Sequence, residues 1–206
     1  MIRLAANALT TLERAQLLIP DADGELAKGR LALLINRASA EIETALERKL
    51  GRATYTEPVT PSGSQRLLLK QWPILAVAKV IQDGAELDPG SYTIEEGGIL
   101  YKDDGWRWRG YPQGLAYDPW AASRDLLITY TAGYILPKDG TEEEPFTLPA
   151  DLEGLCMEMV QAAWGKLQTG GYGGLKAFGI SDVRWEWAAE APVSWDATLA
   201  RYRRLA

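Results

Sequence analysis

Leu126-Leu127-Ile128-Thr129-Tyr130-Thr131 runs to a stop at Gly133. Its β-branched and aromatic side chains favour a pleated, half-buried surface, so the stretch reads as a strand. Toward the N-terminus the punctuation stays that of a sheet. Ala53 to Val59 and Gln65 to Lys70 are β-prone runs joined by Thr60-Pro61-Ser62-Gly63-Ser64, a turn by composition. Trp72-Pro73-Ile74 opens into Val77-Ala78-Lys79-Val80-Ile81, which Asp83-Gly84 closes. Tyr92-Thr93-Ile94 and Ile99-Leu100-Tyr101 flank Glu95-Glu96-Gly97-Gly98, a hairpin signal. Farther out on either side the apolar period lengthens to that of helices. The chain is therefore expected to be α+β: long amphipathic helices packed with a small antiparallel sheet, and a flexible C-terminal tail.

Thr10 and Glu13 have the spacing of a capping box, and Pro20 stops the short helix that follows. Asp23 is a second N-cap candidate. Beyond it Leu31, Leu34, Ile35, Ala38, Ile42, Ala45 and Leu46 form one stripe, with Gly51 as the expected C-terminal cap. From Gly24 to Leu50 such a helix would be about 40 Å long at roughly 1.5 Å per residue. A third helix is expected from Leu148-Pro149-Ala150-Asp151, where Asp151 and Glu153 suit the positive helix start. Its stripe is Leu152, Leu155, Cys156, Met159, Val160, Ala163 and Leu167, and the two stripes should pack on each other or on the sheet. Gly170 to Gly174 reads as a flexible joint. Past it come a strand-like Val183-Arg184-Trp185-Glu186-Trp187 and a short helical tail.

Composition narrows the chemistry. The 206 residues carry 22 Lys+Arg against 28 Asp+Glu, a formal charge of -6 that disfavours a basic nucleic-acid binder. With no His and one Cys, His-based triads, zinc clusters and intrachain disulfides are excluded. No apolar run approaches the roughly 20 residues that cross a bilayer. The N-terminal apolar stretch meets Glu13 and Arg14 too soon for a secretory signal, so synthesis in the cytoplasm is expected.

The glycine run at 170–174 follows a helix rather than opening one and lacks a Gly-Lys-Ser/Thr ending, so it reads as a hinge, not a phosphate cradle. Asp103-Asp104-Gly105 lacks the ligand alternation of a calcium loop and reads as a turn. The acids from Asp139 to Glu158 read as a solvated linker plus helix-start charges, with no spaced catalytic pair. Cys156 sits on an apolar stripe and reads as a buried structural thiol. Neither catalytic residues, nor metal ligands, nor cofactor-binding residues are assigned. More unusual is the segment holding Tyr101, Trp106, Arg107, Trp108, Arg109, Tyr111, Tyr117 and Trp120. Arg and aromatics together anchor interfaces or stack on sugars and bases; equally, such rings can cap a small sheet. Trp106, Arg107, Trp108, Arg109, Tyr111 and Trp120 are the candidate interface loop.

The order of several short motifs resembles the head–tail connector (adaptor, or head-completion) proteins of long-tailed bacteriophages. The carriers are Trp72-Pro73-Ile74 with Val77 and Val80, then Asp83-Gly84, Gly98-Ile99-Leu100-Tyr101 and Tyr130-Thr131-Ala132-Gly133-Tyr134. Leu148-Pro149-Ala150-Asp151-Leu152 and the close Leu199-Ala200-Arg201-Tyr202-Arg203-Arg204 complete the series. Residues 103–124 are long for a minimal connector, and Phe178-Gly179-Ile180-Ser181-Asp182 matches only loosely.

The resemblance implies a non-enzymatic virion protein at the head–tail junction, made in the cytoplasm of a bacterial host, without cofactors and without contact to membranes. It would form a ring, usually of twelve copies, beneath the portal protein and offer a surface to the next neck or tail-completion protein. DNA would pass through the lumen without tight binding, past acids of the 139–158 segment or of the first helices. In this organisation residues 1–177 are a connector core, with helices at 10–50 and 148–169 and a β-rich region at 53–134 interrupted by the 103–124 insertion. Residues 178–206 form the C-terminal extension. Trp195, Leu199, Arg201, Tyr202, Arg203 and Arg204 are its candidate portal-docking residues. Two other classes stand beside this one: a carbohydrate- or peptide-binding module built on the aromatic loop, and an enzyme using carboxylates.

Overall fold

The computed structural model describes residues 3–82, 84–106, 126–168, 177–180, 183–186 and 194–203. The fold is α+β, with the helices α1 (Leu12–Gln16), α2 (Glu25–Leu46), α3 (Ala150–Gln168) and α4 (Ser194–Tyr202). The strands are β1 (Ala53–Val59), β2 (Arg66–Leu68), β3 (Ile74–Gln82), β4 (Ala85–Glu86), β5 (Thr93–Glu95), β6 (Ile99–Tyr101), β7 (Leu126–Ala132), β8 (Ala177–Ile180) and β9 (Val183–Glu186). The chain forms two compact units. One comprises residues 1–48 with 135–206 and the other residues 49–134.

In the helical unit, the stripes of α2 and α3 pack on each other. Leu31, Ile35, Ala38, Ile42 and Leu46 of α2 are buried, as are Leu152, Leu155, Cys156 and Val160 of α3. The stripe of α3 ends before Leu167, which is exposed. Three boundaries differ from those expected. Thr11, not Thr10, caps α1, its hydroxyl accepting from Arg14 N, while the Thr10 hydroxyl donates to Glu153 Oε1 at 3.0 Å. Gly24 rather than Asp23 occupies the N-cap of α2 and supplies no side-chain bond. The helix stops at Leu46 because Glu47 turns left-handed at φ 55°, its amide reaching Glu43 and Thr44 carbonyls, so Gly51 lies outside it. Twenty-two residues make it about 33 Å long at roughly 1.5 Å each.

The segment before α2 is strapped along it. Ala5 N donates to Asn36 Oδ1 at 2.7 Å, Leu9 N to Ser39 Oγ at 3.0 Å and Asn7 Nδ2 to Glu43 Oε2 at 2.9 Å. Arg14 closes the strap on α3 with a bidentate grip on Glu153, at 2.6 and 2.8 Å.

Among the described residues, the second unit holds two small antiparallel sheets where one was expected. Their orders are β1-β7-β3-β4 and β2-β6-β5. β7 lies between β1 and β3 and alternates inward Leu126, Ile128, Tyr130 and Ala132 with outward Leu127, Thr129 and Thr131. Leu67, Leu69, Leu100, Tyr92 and Trp106 meet those inward residues and Val80 in one core. Tyr130 is the polar pin of that core. Its hydroxyl donates to Glu57 Oε1 and accepts from Gln71 N, and burial pushes its pKa up. Gly97 and Gly98 both take positive φ in the hairpin turn between β5 and β6, as its sequence requires. β8 and β9 pair as a separate antiparallel ladder.

Candidate interaction surface at the C-terminal helix

Asp196 sits in the first turn of α4 and Arg201 in its last, the arrangement the helix dipole favours. Trp195, Thr198, Leu199 and Tyr202 recur at helical spacing and are the half-buried or buried positions, while Arg201 and Arg203 are exposed. That partly covered side rests on α3 and α2 of its own unit.

The polar contacts define the docking. Trp195 Nε1 donates to Glu158 Oε2 at 2.9 Å, and the Tyr202 hydroxyl donates to Asp151 Oδ1 at 2.6 Å. Arg201 Nη1 approaches Asp151 Oδ2 at 3.4 Å, and Arg203 Nε donates to the Ala45 carbonyl at 3.0 Å. Ala45 belongs to the last turn of α2, whose carbonyls lack partners within the helix, so the guanidinium fills an open acceptor. The structure thus brings five of the six candidate docking residues onto one helix and the residue after it. Arg204 lies outside the described residues. Leu199 is half-buried beside Thr198. The described part of the tail, residues 194–203, lies on the body of its own unit. The reason is that aromatic and Arg side chains suited to an acidic partner find Asp151, Glu158 and a helix C-terminus within the chain.

Asp151 and Glu158 are the residues that sequence reasoning passed over, having read them as helix-start and solvated charges. A signal was present: they stand seven apart on α3, as Trp195 and Tyr202 do on α4.

The aromatic segment is less gathered. Trp106 belongs to the core of the second unit, only 1% exposed. Its Nε1 donates to the Leu100 carbonyl at 3.1 Å and its ring lies 6.1 Å from that of Tyr92. With its one donor satisfied inside, Trp106 serves the core and is withdrawn from the interface loop. Arg107, Trp108, Arg109, Tyr111 and Trp120 lie outside the described residues.

Of the acids from Asp139 to Glu158, Glu142, Glu143 and Glu144 are exposed, whereas Glu153 is buried and paired with Arg14. Cys156 is a buried free thiol, its Sγ 3.6 Å from Ser39 Oγ, and burial pushes its pKa up to about 11. Among the described residues no group of three or more Cys, Asp or Glu side chains is gathered to hold a metal ion, and no helix is long and apolar enough to cross a membrane.

No family model and no curated protein matches the sequence. The fold does have solved counterparts. It is similar to a chain in the neck of the native GTA particle computed with twelvefold symmetry. There the TM-score is 0.55 at 13% identity, over 100% of this chain and 96% of that one. A chain in the neck of the empty GTA particle computed with sixfold symmetry gives 0.53 at 14% identity, covering 100% and 94%. One from the virion of the native gene transfer agent gives 0.53 at 12%, again covering 100% and 94%.

Proposed function

We propose that this chain is a structural subunit of a phage-type neck. It would assemble into a ring beneath the portal, continue the DNA channel and present its far side to the next neck or tail-completion protein. The observation that carries this reading is the extent of the fold likeness: chains in two gene-transfer-agent neck structures and in one virion structure cover this chain from end to end, and it covers nearly all of each of them. Coverage of that extent takes in the residues of both units rather than a single shared module. The order of motifs from Trp72-Pro73-Ile74 to Tyr202-Arg203-Arg204 supports it independently.

Within this reading the tail residues Trp195, Leu199, Arg201, Tyr202, Arg203 and Arg204 dock the portal. Arg107, Trp108, Arg109, Tyr111 and Trp120 would contact a neighbouring protein. A ring built head to tail needs two different complementary faces on every subunit. Co-expression with a portal protein of the same particle, followed by native mass spectrometry and negative-stain imaging, tests the reading. A closed ring of this chain on the portal is expected. A protein that stays monomeric and unattached in the presence of portal would overturn it. Deleting residues 194–206 should abolish attachment to DNA-filled, portal-bearing heads while leaving the remaining fold intact.

A further inference from the structure

The contact between α4 and α3 has a matched period. Trp195 and Tyr202 are seven residues apart on α4, and their acceptors Glu158 and Asp151 are seven apart on α3 in the opposite chain direction. Seven residues are two helical turns, about 10.5 Å of axial rise at roughly 1.5 Å per residue, so both ends of the antiparallel pair close together. Arg201 doubles the contact at Asp151, and Arg203 reaches past it to the end of α2. Trp195, Arg201, Tyr202 and Arg203 are also the side chains with which the tail would grip a partner, so one set of groups has two uses that exclude each other.

We propose that the α3 face bearing Asp151 and Glu158 is an internal receptor for α4, and that the tail reaches its partner by exchanging this receptor for a surface of the same chemistry. The inference rests on the docking reading of the tail given above. It names what the partner must present: two carboxylates about two helical turns apart along an acidic helix face, with the carbonyl end of another helix beside them. The contact suits exchange. Its ion pair is largely solvent-exposed, the Arg201 side chain by 66% and that of Asp151 by 33%, and such pairs are individually weak. A receptor occupied within the chain lowers apparent affinity for the partner by the fraction of subunits whose tail is free.

The test is the full chain carrying Asp151→Ser and Glu158→Ala. Serine still suits a helix start but is too short to hold Tyr202, and Glu158 is already exposed. Cleavage by trypsin after Arg201 and Arg203, followed by mass spectrometry, reports the released tail. It should accelerate about tenfold if one subunit in ten has a free tail at rest. Attachment to portal-bearing heads at limiting protein should improve by a similar factor. Should the double variant fail to fold, Glu158→Ala alone carries the same test with a smaller change. Unchanged cleavage would overturn the internal receptor. Faster cleavage with unchanged attachment would overturn the exchange, whereas loss of the docking reading itself is read separately, from a 194–206 deletion that still attaches. Released tails that drive self-association without portal would make a second copy the receiver, which also overturns the proposal.

Discussion

Glu153 accepts three hydrogen bonds from two residues about 140 positions earlier, Thr10 and Arg14, while itself only 3% exposed. No local pattern announces this. Periodicity assigns Glu153 to the first turn of α3, and the pairing exists only once the strap lies across both helices. Arg14 is 43% exposed on its side chain, so its Coulomb gain is screened, but its removal leaves a buried carboxylate with one donor. Arg14→Ala should cost about 1–3 kcal/mol in urea unfolding. Adding Glu153→Gln should recover part of that loss, because no uncompensated charge then remains; a double variant no more stable than Arg14→Ala would count against the account. Cys156 gives a second residue-scale expectation. Its folded pKa, about 11, lies above the ordinary thiol value of 9.0. Its stabilising contribution is therefore full below about 9 and is lost as pH rises toward about 11. The unfolding free energy of the native chain should fall relative to that of Cys156→Ala across that window, and thiol reagents at neutral pH should label Cys156 only after unfolding.

At the scale of elements, what was legible depended on whether the cause is local. β1 was readable in full and β7 to within a residue, because alternation and β-branching act through neighbours two positions apart. The facing stripes of α2 and α3 were readable for the same reason. The end of α2 was not, since no glycine stands at the left-handed position that closes it; Glu47 takes φ 55° instead. The lodging of α4 was hidden because it depends on where α3 and the end of α2 come to lie. Glycine adopts the left-handed conformation without the Cβ clash, so Glu47→Gly should stabilise the helical unit by about 0.5–1 kcal/mol, read as a rise in Tm. Gly133 is the converse. At φ 106° it ends β7 against the Gly51 carbonyl, which an added Cβ would meet at 2.6 Å. Backbone cannot step aside as a side chain can. Gly133→Ala should therefore cost about 1–3 kcal/mol or more, with amide-exchange protection falling first in β1, β3 and β7.

For the whole molecule the governing quantity is charge. In the proposed ring, twelve copies at a formal -6 each would carry -72. A lumen of that sign would repel phosphate and let duplex DNA slide without adhering. Within the 139–158 segment, burial narrows which acids would face DNA in such a ring. Glu153 is committed to Arg14, and Asp151 takes hydrogen bonds from α4, whereas Glu142, Glu143 and Glu144 are exposed side by side. The native chain should show no submicromolar binding to duplex DNA at physiological salt. Replacing those three glutamates by lysine brings the formal net charge from -6 to zero. Binding should then appear in the assembled ring and weaken steeply as salt rises, since each neutralised phosphate releases a counterion. Tight, salt-sensitive binding by the native protein would sink the idea of a passive channel. A lysine variant that assembles normally yet still ignores DNA would place these glutamates away from the lumen.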